Sequence, residues 1–287
     1  MNANLLLIAL LALGAAPSTR DAPFIETFQR DGKTLIYVLA VHHSAMLFPD
    51  AMAEPVFKTI QSVFLKTPPD AVILEGVDPS QISGFLDYAR QCADANYNLA
   101  GRACAENAFT AYSAAANGAQ VYTGEPPASA SLALFRAQGY SVQDFFAFWI
   151  MNNIPHEKRH GTLSEGEFTR LVDRVVGYEN QLLGTSTSFI AEDFAAWYAK
   201  NIRTPHNYLD IAQEDTSPYP SSGEPKTLLH TLSALSTKAR DENIVATIKM
   251  AIENHSRVLV VYGASHFDSE WDELVRFMGM PKKTKPF

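Results

Sequence analysis

A chain of 287 residues, 47% of them apolar, is long enough to bury one large core or two smaller ones. A formal net charge of −8 argues against a nucleic-acid surface, which needs a basic face. The basic run Lys282, Lys283 and Lys285 reads as a solvated tail.

Asn4–Ala16 is an apolar run closed by small residues, too short to span a bilayer comfortably and similar to the h-region of a secretory signal peptide. Residues 1–16 are therefore expected to be a leader, and residues 23–287 a single α/β domain in an exported, periplasmic or secreted protein with no membrane span after cleavage. Lys33–Val41 (KTLIYVLAV) has the continuous β-branched and apolar character of a strand buried on both faces, and it ends at His42-His43. A helix follows over Pro49–Leu65, with Phe57, Ile60, Val63 and Phe64 on one face. Pro68-Pro69-Asp70 breaks it, and the next strand, Ala71–Leu74, ends at Glu75. A helix from about Pro79 to Arg90 leads to the two cysteines, Cys92 and Cys104. Twelve positions apart in an exported chain, they predict one disulfide stapling a surface loop.

Glu106–Asn117 reads as a helix ended by Gly118, Gln120–Tyr122 as a short strand ending at Gly124-Glu125, and Ser129–Gln138 as a further helix. This alternation predicts βαβ units and a mostly parallel central sheet flanked by helices. From Tyr140 the pattern changes: Ser141–Asn153, Ser164–Leu183 and Phe189–Asn201 are helix-like with no strand between them. A helical insertion or lid is expected over about 140–225, between the two sheet-forming halves. Its last part, Asp215–Pro225, reads as an exposed, mobile loop. Ser236-Thr237 can cap a helix over Lys238–Asn254, which leads into the strand Val258–Tyr262, Gly263, His266 and a closing helix over Asp268–Met278.

Four strand-like runs thus end in His42/His43, Glu75, Glu125 and His266. In a parallel sheet all carboxyl ends lie along one edge, so these groups can converge without being close in sequence. Imidazoles with one or two carboxylates suit a divalent transition metal that keeps a position open for water. The expected metal set is His43, His266, Glu75 and Glu125, with zinc, manganese or cobalt as the ion. Arg240, at the expected helix start Arg240–Asn243, is placed to bind a substrate carboxylate or oxyanion. The neighbouring acids Asp241 and Glu242 read as ordinary complements to the helix dipole. His156-Glu157-Lys158-Arg159-His160 matches the zinc-protease pattern H-E-x-x-H, but Pro155 and Gly161 bracket it and leave little more than one turn, as in a loop between helices. His206, His230 and His255 show no supporting partners, and no serine nucleophile motif or phosphate-binding glycine pattern occurs.

The paired motifs resemble those of the TraB/Tiki/erythromycin-esterase/ChaN superfamily. Gly263-Ala264-Ser265-His266 matches its G-x-x-H motif, while Ala40-Val41-His42-His43 matches with alanine in place of the first glycine. Glu75 stands where that family has a strand-end glutamate, and Arg240 and Asn243 look like its arginine–asparagine helix start. The resemblance covers roughly 33–126 and 236–279. It implies an α/β fold with a His/Glu site, in a superfamily that includes metal-dependent proteases, macrolide esterases and a haem-binding lipoprotein. The expectation is an exported metal-dependent hydrolase of peptides or esters. His43 and His266 would be ligands, Glu75 a ligand or general base, and Arg240 with Asn243 a clamp. A metal-free esterase is a close variant. From other classes come a non-catalytic haem- or metal-binding protein, with iron contacted by His43, His266 or Tyr262, and a sequestering partner that has lost activity.

Overall fold

The structure is a computed structural model and describes residues 24–40, 55–99, 102–158, 163–219 and 226–282. The expected leader, the segment carrying His42 and His43, and His160 of the H-E-x-x-H match lie outside the described residues. The described residues fall into two compact units. The first runs to Glu125 and resumes at Asp241; the second is Pro126–Arg240.

The first unit is an α/β layer structure built on five strands. Strand β1 (Phe24–Arg30) and β2 (Lys33–Ala40) form an antiparallel hairpin closed by Asp31 and Gly32. Both turn residues have positive φ, 50° and 75°, the conformation in which a two-residue turn matches the twist of the strands it joins. Helix α1 (Pro55–Lys66) leads to β3 (Ala71–Leu74). A 3-10 turn (Pro79–Gln81) opens α2 (Ile82–Asp94), which is followed by a two-residue ladder of β4 (Asn98–Leu99) with β5 (Arg102–Ala103). Helix α3 (Glu106–Ala116) and β6 (Gln120–Thr123) complete this half. After the second unit, β7 (Arg257–Gly263) inserts between β2 and β3, giving the order β1-β2-β7-β3-β6 with every pair parallel except β1–β2. The expected α/β class and mostly parallel sheet are therefore present, with one antiparallel edge that the sequence reading passed over.

Strand side chains alternate between two helical layers, as the period of two requires. Ile36, Val38, Val72, Leu74, Leu259 and Val261 pack with Phe57, Ile60, Phe85 and Phe109 of α1, α2 and α3. Leu35, Tyr37, Ala71, Ile73, Val258, Val260 and Tyr262 pack against the opposite layer. That layer comes from the sheet-side half of α8 (Leu228–Asn254) and from α9 (Ala264–Met278). Val72, Ile73, Val258, Leu259 and Val260 are fully buried, and each such side chain contributes roughly 1.5–3 kcal/mol of transfer free energy. Cys92 and Cys104 form the expected disulfide, with Cα atoms 6.1 Å apart. Both cysteines are buried within the α1–α3 layer, while Asp94, Asn96 and Asn98 of the loop they close are exposed.

The second unit is helical among the described residues: α4 (Ala128–Ala137), α5 (Val142–Lys158), α6 (Glu165–Leu183), α7 (Ala191–Asn201) and α8 up to Arg240. Its core is aromatic, with Phe135, Phe145, Phe146, Phe148, Phe168 and Phe194 all buried. Ser164 and Glu167 form a reciprocal capping box and Gly184 ends α6 in the left-handed conformation, so the helix ends where expected and starts one residue later, with Ser164 as its cap.

Three expectations change here. Helix α5 continues through Pro155 to Lys158, so His156, Glu157 and Lys158 are helical rather than part of a loop. The segment expected as an exposed loop begins with Thr216, Ser217 and Pro218 buried, and residues 220–225 lie outside the described residues. Helix α8 starts at Leu228, ten residues before the expected start. Its cap is Thr227, whose Oγ1 accepts from His230 N (3.3 Å) and whose N–H donates to His230 Nδ1 (3.1 Å). Ser236 and Thr237 are interior, and Arg240–Asn243 is mid-helix, where no free N–H groups are available for an anion. The helix-terminus part of the rationale for Arg240 is thereby removed.

Candidate functional site

The connections fix where a site can form. Strand β3 exits into α2, on one face of the sheet, while its neighbour β7 exits into α9, on the other. The crevice between the carboxyl ends of two strands that leave in opposite directions is where open α/β sheets take ligands. Glu75 follows β3 and His266 follows β7, so both stand at this point.

Alternation along the strands then selects the face. Tyr37 of β2, Ile73 of β3 and Tyr262 of β7 face the α8–α9 layer, and Glu75 continues the parity of Ala71 and Ile73. Glu75 Oε2 accepts from the backbone N–H of Gly263 at 2.6 Å, which ties the ends of β3 and β7 together. Asn107 of α3 steadies the same turn by donating to the Glu75 carbonyl at 3.3 Å. His266 lies in the first turn of α9, so the helix begins four residues earlier than expected and carries the histidine with it.

The histidine is 2% exposed and is bounded on both ring nitrogens by carboxylates. Its Nδ1 is 2.6 Å from Asp241 Oδ1 of α8. Its Nε2 is 3.6 Å from Glu75 Oε1 and has no hydrogen-bond partner among the described residues. The Tyr262 ring packs edge-on against the imidazole, with centroids 5.4 Å apart. Asp241, His266 and Glu270 each offer a ligand atom within 4.8 Å of the others. Tyr37 donates to Glu270 Oε2 at 3.1 Å. Burial, and then the negative charges of Glu270, Glu75 and Asp241, hold the Tyr37 phenol well above its ordinary pKa, so it is a neutral donor among acids.

Glu125 occupies a neighbouring position on the same edge. Its Oε1 accepts from Gly76 N–H (2.9 Å) and from the Tyr262 hydroxyl (3.2 Å), and its own N–H donates to Thr123 Oγ1 (3.1 Å). Glu125 thus ties the ends of β3, β6 and β7 together and is not in the cluster with Asp241, His266 and Glu270. Asn243 donates to the Gly124 carbonyl at 2.8 Å and so fixes the β6 exit. Arg240 is 2% exposed and falls in the second unit, one residue before Asp241.

Among the expected site residues, the structure brings Glu75 and His266 together and places Glu125 and Asn243 around them as ties; His43 is outside the described residues. Sequence reasoning missed Asp241, set aside as a dipole complement, and Glu270. Both carried a signal. Asp241 heads the stripe Ile244, Ile248, Ala251 on the sheet-facing side of α8, and His266 and Glu270 are four apart on α9. His255, read as lacking partners, bonds the Tyr122 hydroxyl at 3.0 Å at the far end of the sheet.

The fold and site define an α/β protein with a buried histidine–carboxylate cluster at the carboxyl edge of its sheet. No protein-family model, curated protein or solved structure matches the chain.

Does this donor set suit a metal? A neutral imidazole whose Nδ1–H is taken by a carboxylate presents its Nε2 lone pair, and here that atom is buried opposite a carboxylate oxygen. Two ligands bound at ~2.0–2.1 Å to one tetrahedral ion stand about 3.4 Å apart. The observed 3.6 Å is too long for a hydrogen bond and close to that spacing. The residues fit a divalent ion.

Proposed function

We propose that the protein is an exported metal-dependent hydrolase of peptides or esters, of the kind found in the TraB/Tiki superfamily that its paired motifs resemble. The observation that carries this reading is the buried His266 Nε2, without a hydrogen-bond partner among the described residues and facing Glu75 across 3.6 Å. His266 and Glu75 would hold the ion, Glu270 stands within reach of the same cluster, and His43 joins the set through the motif alone. A zinc, manganese or cobalt ion bound there supplies Lewis acidity toward a carbonyl and a water of lowered pKa. The chain's own residues exclude bulk water, orient the imidazole through Asp241, and provide in Tyr37 a neutral hydroxyl that donates to Glu270. Export is supported by the formed Cys92–Cys104 disulfide and the leader-like first sixteen residues. No described helix is long and apolar enough to cross a membrane. The insertion expected over about 140–225 lies within the second unit, Pro126–Arg240.

Elemental analysis of the native protein, paired with peptide and ester hydrolysis assays, tests the proposal. About one equivalent of divalent metal is expected, with turnover lost in His266→Ala and Glu75→Gln while the circular dichroism spectrum is retained. Unchanged turnover in both variants would sink the assignment. A Soret band in protein from haem-fed cells would move it to the haem-binding class, and loss in His156→Ala alone would move it to the H-E-x-x-H segment.

A further inference from the structure

We propose that Asp241 is the positioning residue of this site: it keeps the His266 proton on Nδ1 and so directs the Nε2 lone pair at Glu75. The inference deepens the metal-site reading above and rests on it for its functional consequence.

The argument begins with what each atom can do. An ionised carboxylate only accepts hydrogen bonds, so the 2.6 Å contact from Asp241 Oδ1 to His266 Nδ1 requires the proton on that nitrogen. In the neutral form that can bind a metal, the imidazole carries only that one N–H, which leaves Nε2 as a lone pair. The ring cannot easily turn over to exchange its nitrogens. Asp241 is itself held at its second oxygen by Ser269 Oγ at 2.7 Å, and the Tyr262 ring stands edge-on to the imidazole at 5.4 Å. Asp241 belongs to α8 and both His266 and Ser269 to the first two turns of α9, so the carboxylate joins two helices at the histidine. A carboxylate that merely tied the helices together would not need the ring nitrogen, and it would leave the tautomer unconstrained. Carboxylates in this relation to an imidazole fix its orientation and raise its basicity toward a metal, and losing one costs about 10–100-fold in affinity.

The test uses the full chain with 15N-labelled histidine, in which long-range 15N–1H correlation spectra report the tautomer of each ring and His266→Gln identifies the signal. Wild-type protein is expected to show His266 as the Nδ1–H tautomer. Asp241→Asn, which keeps the shape but allows an amide N–H to face the ring, is expected to show Nε2–H or an averaged signal. Nε2–H in the wild type, or an unchanged Nδ1–H in Asp241→Asn, overturns the inference. The wild-type spectrum needs no substitution, so it decides the matter even if the variant fails to fold. Zn2+ alone is then titrated against a chromophoric chelator, with binding expected to weaken about 10–100-fold in Asp241→Asn and by less in Ser269→Ala. Equal Zn2+ affinity in wild type and Asp241→Asn also overturns the inference. If the tautomer pattern holds while wild type binds no Zn2+, Asp241 stands as the positioning residue and the metal-enzyme reading falls.

Discussion

Gly124→Ala is a one-methyl perturbation whose cost can be worked from the structure. An ideal Cβ at position 124 would stand 2.4 Å from Tyr262 Oη, 2.6 Å from Ile244 Cγ1 and 2.9 Å from Tyr262 Cε2, where ordinary contact begins at 3.4 Å. Something must therefore move by roughly 1 Å, and neither neighbour is a flexible chain end: Tyr262 is 1% exposed and Ile244 is fully buried. Overpacking of this kind costs about 1–3 kcal/mol. The displaced Tyr262 hydroxyl would also loosen its 3.2 Å bond to Glu125, a charged acceptor whose loss adds about 1.5–3 kcal/mol when complete. Urea unfolding of Gly124→Ala, alone and in a Tyr262→Phe background, separates the two contributions. Removing the hydroxyl deletes the closest of the three contacts, so the glycine substitution is expected to cost less in the phenylalanine background. A change below about 0.5 kcal/mol in Gly124→Ala, the usual size for a surface substitution, would refute the close-packing argument.

Three further outcomes are expected. Replacing both Cys92 and Cys104 by alanine opens a loop with a sequence separation of 12 and should lower stability by ~3 kcal/mol, read as a shift in urea midpoint under non-reducing conditions. Asp70 accepts from Arg257 at 2.7 Å, and that bond holds its pKa below the ordinary value; its contribution is therefore present above the unfolded pKa and lost as pH falls through the folded one. The pair is partly exposed, so Asp70→Asn should cost no more than about 1 kcal/mol near pH 6, and the gap from wild type should close toward pH 3. Tyr97, packed against Phe57 and Phe109, is pushed up to about 12, first by burial and then by Tyr112. Its contribution is complete below the unfolded value near 10 and lost as pH rises toward 12, so Tyr97→Phe should leave the phenolate absorbance of the folded protein at pH 10.5 unchanged. A one-tyrosine decrease would contradict this.

The buried strands were legible because a strand covered on both faces must be apolar at every position, as in AVIL and RVLVVYG. Strand β1 was not, since FIETFQR sits at an edge and alternates with polar residues. Yet Asp31-Gly32 ahead of an apolar run was a hairpin signal that could have been used. The start of α8 was misplaced for a different reason. Thr231, Ser233, Ser236 and Thr237 are cap-forming types, but Ser233 and Ser236 are buried in the helix, where tertiary packing decides their conformation. That single error made Arg240–Asn243 a helix start and set Asp241 aside as a dipole complement. A helix begun at Thr227 would have shown Asp241 on the sheet-facing stripe.

The same stripe explains why this edge of the sheet, and this face of it, gathers acids. Glu75 takes its direction from the period of two along β3, and Tyr37 and Tyr262 take theirs from β2 and β7. All three point toward the layer of α8 and α9. Each of those helices places one acid on an otherwise apolar face, Asp241 among isoleucines and Glu270 between Phe267 and Leu274. An acid there removes apolar contact from the core and must be desolvated, which is unfavourable unless a partner recovers it. Asp241 recovers it through His266 and Ser269, and Glu270 in part through Tyr37. His266 stands between an acid from the sheet end, Glu75, and one from α8, Asp241. Its neutral replacement by glutamine should therefore disturb Glu75 and Asp241 together, whereas Glu270→Gln should leave the Asp241–His266 contact intact.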